Sequence, residues 1–248
     1  MKILGIIPAR YASTRFPGKP LVVIEGKTMI QRVYERSVQS IRLTKVVVAT
    51  DNEAISKHVD LFGGNVLMTN IHHRSGTERC HEVVEKLRRE GEIYDYVINI
   101  QGDEPFIEPE QINQVAQCFS DPRTLLATLI RKVTALEELT NPNVVKVVVD
   151  NNGSALYFSR SPIPFTRGLD PKDWLFSTTY YKHIGIYGYQ TSVLGKIVTL
   201  PPSPLELAES LEQLRWLGHG YRIQTQITEY ESIAIDTPTD LLKITNRT

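Results

Sequence analysis

Cysteine is scarce in this chain. Only Cys80 and Cys118 occur, and they do not form a CxxC pair. That argues against a disulfide framework and suits reduced, structural thiols in a cytoplasmic protein. Long apolar runs are missing too: none approaches the roughly 20 residues of a membrane span. The apolar stretch near the start is broken by Pro8 and Arg10, so no signal peptide is expected. Without a secretory signal, the glycosylation patterns Asn152-Gly153-Ser154 and Asn246-Arg247-Thr248 carry no meaning. Net charge is absent, since 28 basic residues meet 28 acidic ones, which disfavours a general nucleic-acid-binding surface. There is no internal repeat, no low-complexity segment and no GxSxG elbow. Gly26-Lys27-Thr28 ends like a phosphate-binding P-loop, but Leu21 stands where its first glycine belongs. His72, His73, Cys80 and His81 cluster without a tetrahedral zinc spacing.

What is present reads as one large α/β domain. A length of 248 residues and a hydrophobic fraction of 41% suit a single soluble domain with a subdomain. Ile3 to Ile7, Lys45 to Thr50, Val66 to Met68 and Tyr96 to Ile100 read as buried parallel strands. Helices are expected over Ile55 to Leu61, Thr77 to Arg89 and Glu108 to Phe119. This alternation predicts a Rossmann-like, doubly wound, mostly parallel sheet. The pattern then changes. Val144 to Val149 and Ala155 to Ser159 flank Asp150-Asn151-Asn152-Gly153, a hairpin signal. Residues 160 to 178 read as a long loop, and Tyr181 to Tyr189 alternates like a strand. Roughly 130 to 190 is expected to be an inserted or edge subdomain, mixed α/β, that helps form a dimer. Ser203-Pro204-Leu205-Glu206 is a capping box, Leu207, Leu211 and Leu214 form a stripe, and Gly218 and Gly220 stop that helix. Tyr221 to Thr228 is a further strand, Ser232 to Ile235 runs into Asp236-Thr237-Pro238, and Pro238 to Thr245 closes the chain as a helix.

The chemistry gathers just past the strands. After Ile7 comes a polar loop, Pro8 to Pro20, with Arg10, Arg15 and Lys19, two hydroxyls and a glycine. In open α/β sheets ligands bind at the carboxyl ends of strands. Three cations there, with no nearby acid, suit a polyphosphate. Asp103 follows another buried strand, two residues past Gln101, and carboxylates at such ends are common metal ligands. Asp236 stands at a third strand end, where on the residues alone it reads as a helix N-cap. Arg74-Ser75-Gly76-Thr77 lies at a loop-to-helix transition that could hold a base or phosphate, or simply cap the helix. His183 on its own reads as a structural histidine, and Glu212 and Gln213 fall off the leucine stripe.

The Ile3 to Pro20 block resembles the signature of the sugar-activating nucleotidyltransferases. More narrowly, it is similar to the 3-deoxy-manno-octulosonate (Kdo) cytidylyltransferases, or CMP-Kdo synthetases, and later blocks match in order over nearly the whole chain. The resemblance implies transfer of CMP from CTP to Kdo, an acidic eight-carbon sugar, with release of pyrophosphate, for lipopolysaccharide biosynthesis. It implies Mg²⁺ on Asp103 and Asp236, since both aspartate blocks are intact. Arg10, Arg15 and Lys19 would take the triphosphate. The backbone from Ala9 to Ser13 and the block from Arg74, Ser75 and Gly76 to Thr77 would read the cytosine. The family has an aspartate where Glu78 stands here. Arg160, the block from His183 through Tyr187 to Tyr189, and the intact Leu211 to Arg215 run with Glu212 and Gln213 would hold the sugar acid. A homodimer is implied, with no nucleic-acid or membrane partner. A sialate or amino-Kdo cytidylyltransferase, and a non-catalytic nucleotide-binding regulator on the same fold, are the alternative readings.

Overall fold

The computed structural model of the chain describes residues 1–12, 16–231, 234, 235, 237 and 239–241. Among the described residues eleven strands run in chain order as β1 (Ile3–Ala9), β2 (Val23–Ile24), β3 (Lys27–Thr28), β4 (Lys45–Thr50), β5 (Val66–Met68), β6 (Tyr96–Asn99), β7 (Leu126–Lys132), β8 (Lys146–Val149), β9 (Ala155–Ser159), β10 (Tyr181–Gln190) and β11 (Ile223–Ile227). The α-helices among the described residues are α1 (Met29–Ser37), α2 (Glu53–Leu61), α3 (Gly76–Arg89), α4 (Pro109–Gln117), α5 (Leu136–Thr140), α6 (Trp174–Ser177), α7 (Thr191–Ile197), α8 (Pro204–Glu209) and α9 (Gln213–Gly218).

The main sheet has the order β11-β7-β10-β6-β1-β4-β5, with β8 and β9 branching from β10. Every strand of that path is parallel to the rest except β10. Because side chains alternate along a strand, each central strand feeds two cores. Leu4 and Ile6 of β1 join Val47 and Ala49 of β4 under α3, α7 and α9. Ile3 and Ile7 join Val46 and Val48 on the opposite face, under α1, α2 and α4. In α3, Cys80, Val83, Val84 and Leu87 recur at helical spacing and are all buried against the sheet. This is the doubly wound architecture expected from the alternation of elements, with the helices split between the two faces.

Two departures from the sequence reading follow from tertiary contacts. First, β10 is not at an edge: it lies between β6 and β7, so the 130–190 segment contributes a strand to the middle of the sheet. Second, the stretch expected as one helix from Ser203 to Gly218 is two. Its capping box is formed, with Ser203 Oγ accepting from the Glu206 N–H at 3.1 Å. Then Ser210 takes left-handed angles (φ 52°), α8 ends, and Leu207 is left exposed. Gly26-Lys27-Thr28, rejected above as a phosphate loop, belongs to a β2–β3 hairpin. Glu25 and Gly26 both have positive φ (46° and 79°), as a two-residue hairpin turn requires. Thr28 then caps α1 through its hydroxyl.

Candidate active site

A cleft of about 250 Å³ opens at the carboxyl ends of β1 and β6. One wall is the end of β1 and the loop after it, with Ala9, Arg10, Lys19 and Pro20. The floor is the turn after β6, with Gln101, Gly102 and Asp103, and the far wall is His73 to Gly76 at the start of α3. The two strand ends come together because β6 pairs with β1 only as far as Ile6 opposite Asn99. Beyond that point the turn folds over β1, and a Cβ on Gly102 would stand 2.6 Å from the Pro8 carbonyl oxygen. Glycine is required there by close backbone approach. Pro8 lies past the β6 ladder, so its missing N–H interrupts no bond to that strand.

Lys19 and Asp103 face each other across the cleft, Nζ to Oδ2 at 2.7 Å, with side chains 14% and 26% exposed. The cation expected for the triphosphate is thus held by the carboxylate expected for the metal. Asp103 also receives the C-terminal segment, its carbonyl oxygen accepting the Ile235 N–H at 3.0 Å. Ile235 directly precedes Asp236, but Asp236, Arg15 and Ser13 themselves lie outside the described residues. No group of three or more His, Cys, Asp or Glu side chains gathers among the described residues. The donor set nonetheless fits Mg²⁺, a hard cation usually held by one or two carboxylates together with substrate phosphates. Asp103 supplies such an oxygen at the cleft floor.

The far wall is braced by carboxylates that sequence reasoning did not single out for this task. Ser75 caps α3 by accepting from the Glu78 N–H at 3.2 Å, while Glu78 Oε2 accepts the Arg74 N–H at 2.8 Å. Glu78 therefore ties down the backbone before the helix. Glu82 accepts from the Asn70 N–H at 2.8 Å, from His73 Nε2 and from Lys86 Nζ. Burial opposes the charge of Glu82, but these hydrogen bonds prevail and pull its carboxyl down to about 2. Beneath this loop lies Arg79, 3% exposed, whose Nη2 meets Asp51 Oδ2 at 2.7 Å and whose Nη1 donates to Thr69. The available signal was positional: Asp51 follows the end of β4, and Arg79 lies one turn into α3.

The residues expected at the sugar end are arranged around β10 and the α8–α9 break. Gly185 approaches Gln101 and Glu104, which brings β10 to the cleft floor. Glu212 is not on a solvated helix face: its Oε2 accepts the Thr77 hydroxyl at 2.8 Å, joining the sugar end to the α3 start. Burial pushes the Glu212 carboxyl up, partly offset by the Thr77 and Ser75 hydroxyls. Gln213 is 5% exposed and equally far from a solvated face. Tyr187 packs edge-on against Trp216, its ring 5.1 Å from that of His183. Its buried hydroxyl has no hydrogen-bond partner among the described residues. Arg160 stands apart from the cleft lining, its guanidinium held by the carbonyls of Glu209, Pro142 and Ser210.

His183 Nε2 lies 2.9 Å from Thr128 Oγ1. That hydroxyl has one proton, and its closest carbonyl is Ile186 O at 2.7 Å. Donation to Ile186 leaves Thr128 as an acceptor, so Nε2 carries the imidazole proton and Nδ1 is left as an acceptor. Burial among the rings of Phe158 and Tyr187 pushes the His183 pKa from 6.5 down to about 3. So weak a base is poorly matched to proton abstraction near neutral pH. Between those two values the unfolded chain holds the proton that the folded protein rejects, so stability falls as pH drops through this window. In His183→Asn the urea midpoint should fall less from about pH 7 to about pH 5 than in the parent. Equal falls would place the acid sensitivity elsewhere. Glu212 works in the other direction: with its pKa raised above 4.5, its contribution is lost as pH rises.

A family model described as cytidylyltransferase matches residues 4–227. A 3-deoxy-manno-octulosonate cytidylyltransferase of Bacteroides thetaiotaomicron is 59% identical over 244 residues, covering 97% of this chain and 96% of that protein. Its namesake in Geobacter metallireducens is 47% identical over 253 residues, covering 100% and 98%. Among solved structures, CMP:2-keto-3-deoxy-manno-octonic acid synthetase complexed with CTP is similar at a TM-score of 0.91, with 42% identity, over 100% of this chain and 98% of that one.

Proposed function

This chain belongs to the cytidylyltransferase family, and from that premise we propose that it transfers CMP from CTP to 3-deoxy-D-manno-octulosonate, releasing pyrophosphate, for lipopolysaccharide biosynthesis. The observation that carries this reading is the cleft itself. Arg10, Lys19 and Arg74 line the same cleft as Asp103 where β1 and β6 end, in a chain that matches a CTP-bound synthetase over its whole length. The reaction asks for positioning and charge stabilisation more than covalent help from the protein. The anomeric hydroxyl of the sugar attacks the α-phosphorus in line. A new O–P bond forms as the bond to pyrophosphate breaks, and the hydroxyl proton passes to solvent or to the departing pyrophosphate.

Lys19, Arg10 and Arg15 take the triphosphate, so Lys19 exchanges its Asp103 partner for phosphate oxygens on binding. The Ala9 to Ser13 backbone and the braced Arg74 to Thr77 block read the cytosine. Gln101, Arg160, His183, Tyr187, Glu212 and Gln213 form the sugar end. His183, neutral and unprotonated at Nδ1, accepts from a sugar hydroxyl. Asp103 and Asp236 would hold Mg²⁺, which when bound supplies charge to offset that building on the phosphate oxygens. Reduced Cys80 and Cys118 support a cytoplasmic setting, and no helix among the described residues is long and apolar enough to cross a membrane. The exposed Leu156, Phe165 and Phe176 support a homodimer formed through the 130–190 segment.

The test is pyrophosphate release from CTP, UTP, ATP or GTP, with Mg²⁺ and either Kdo or sialic acid. Release with CTP and Kdo alone is expected. Release with sialic acid instead would keep the nucleotide end and overturn the sugar end. In the same assay Lys19→Ala should raise the KM for CTP more than that for Kdo. A selective rise in the Kdo KM would contradict its place on the triphosphate.

A further inference from the structure

The break between α8 and α9 coincides with a set of contacts made by Glu209. This residue ends α8, and both of its carboxylate oxygens reach the end of β9. Oε1 accepts the Ser159 hydroxyl at 2.6 Å and Oε2 accepts the Arg160 N–H at 2.9 Å. Its own carbonyl accepts Arg160 Nε at 2.7 Å, and the next carbonyl, Ser210 O, accepts Nη2 at 3.4 Å. One residue thus grips Arg160 from backbone to guanidinium. The same residue precedes Ser210, whose left-handed angles (φ 52°, ψ 50°) stop α8. After that turn Leu211 is buried and Glu212 reaches Thr77.

The chemistry of the grip matters as much as its geometry. The Glu209 carboxylate is engaged by a hydroxyl and a backbone N–H, and the Arg160 guanidinium by three carbonyls. No carboxylate pairs with that guanidinium among the described residues, so its charge is left for an anion. Lys146, fully buried nearby, gathers the carbonyls of Asn141 and Val144 and fixes the loop that carries Pro142 O.

We propose that Glu209 is a positioning residue for the sugar-acid end of the site, holding Arg160 and Glu212 in one frame. This rests on the reading of Arg160 and Glu212 as sugar contacts. The test is steady-state pyrophosphate release with Kdo and CTP varied separately, alongside thermal midpoints, for Glu209→Ala, Glu209→Gln and Arg160→Ala. In Glu209→Ala the KM for Kdo should rise about tenfold, the scale of losing hydrogen bonds to a charged group. The KM for CTP should stay within about twofold, since the nucleotide wall is braced separately by Glu78 and Glu82. Glu209→Gln keeps one acceptor and should recover part of the effect with a near-parental midpoint. A folded Glu209 variant that leaves the Kdo KM unchanged, or raises both KM values together, would overturn the proposal. If Arg160→Ala itself leaves the Kdo KM unchanged, the sugar-end reading fails. If Arg160→Ala raises it and Glu209→Ala does not, only the role of Glu209 fails.

Discussion

Asp103→Asn is expected to lower kcat at least ~10²-fold, the scale of losing a main transition-state stabiliser, while leaving the fold in place. Asp103 sits on the cleft floor, 2.7 Å from Lys19, at the turn that Gly102 presses against β1. It is the described member of the carboxylate pair assigned to Mg²⁺. Asparagine keeps the size and one oxygen but removes the charge, so cation binding suffers most. Both partners of the Lys19 pair remain partly exposed, so its loss should cost only about 0–1 kcal/mol of stability. The check is kcat at saturating CTP and Kdo, with a thermal midpoint on the same sample. Near-normal turnover would remove Asp103 from the mechanism.

The largest stability effect should come from Arg79→Met. The guanidinium and the Asp51 carboxylate are only 4% and 10% exposed at the side chain and 2.7 Å apart. Methionine fills much of the volume but leaves the largely buried carboxylate without its partner. Breaking such a pair from one side is destabilising by roughly 3–5 kcal/mol, because the remaining charge is buried without compensation. Urea unfolding would measure it. The double variant with Asp51→Leu should regain a large share, since two apolar groups can replace a buried pair. A loss below about 1 kcal/mol in Arg79→Met would mean the pair behaves as a surface pair. The KM for CTP should rise as well, because Arg79 and Thr69 lie beneath the Arg74 to Gly76 wall.

Much of the fold was legible one segment at a time. Lys45 to Thr50 and Val66 to Met68 are observed with the bounds read from their composition, and α3 begins one residue earlier than expected. These segments are buried by their own apolar content, and punctuation such as Asp51-Asn52 and Ser75-Gly76 marks where they stop. By contrast α1, β7, α5 and α7 carry no distinct local signature, and α6 lies inside the stretch that reads as a long loop. In α1, Met29, Ile30, Val33 and Tyr34 form a buried face capped by Thr28, but the helix spans only nine residues, too short for its apolar spacing alone to fix its bounds. Asp121-Pro122 marks the turn before β7, where the Arg123 N–H donates to Asp121 Oδ1, but a short apolar run fits a buried strand or a helix segment equally well until its sheet neighbours are known.

Local chemistry was enough to place Ala9, Arg10, Lys19, Gln101 and Asp103 at strand ends, because the carboxyl edge of a parallel sheet is where loops must gather. It could not show that Lys19 is held by Asp103, 84 residues away, or that Thr77 reaches Glu212 across 135. Nor could it place β10 between β6 and β7, since strand partners are chosen by the whole sheet. The leucine stripe at 207, 211 and 214 favours one continuous helix, yet the chain turns at Ser210, next to the Glu209 contacts to β9. A side chain's periodicity is written in its neighbours along the chain. Its partner is decided by the free energy of burying charge and hydrogen-bonding groups, which exists only once distant segments have met.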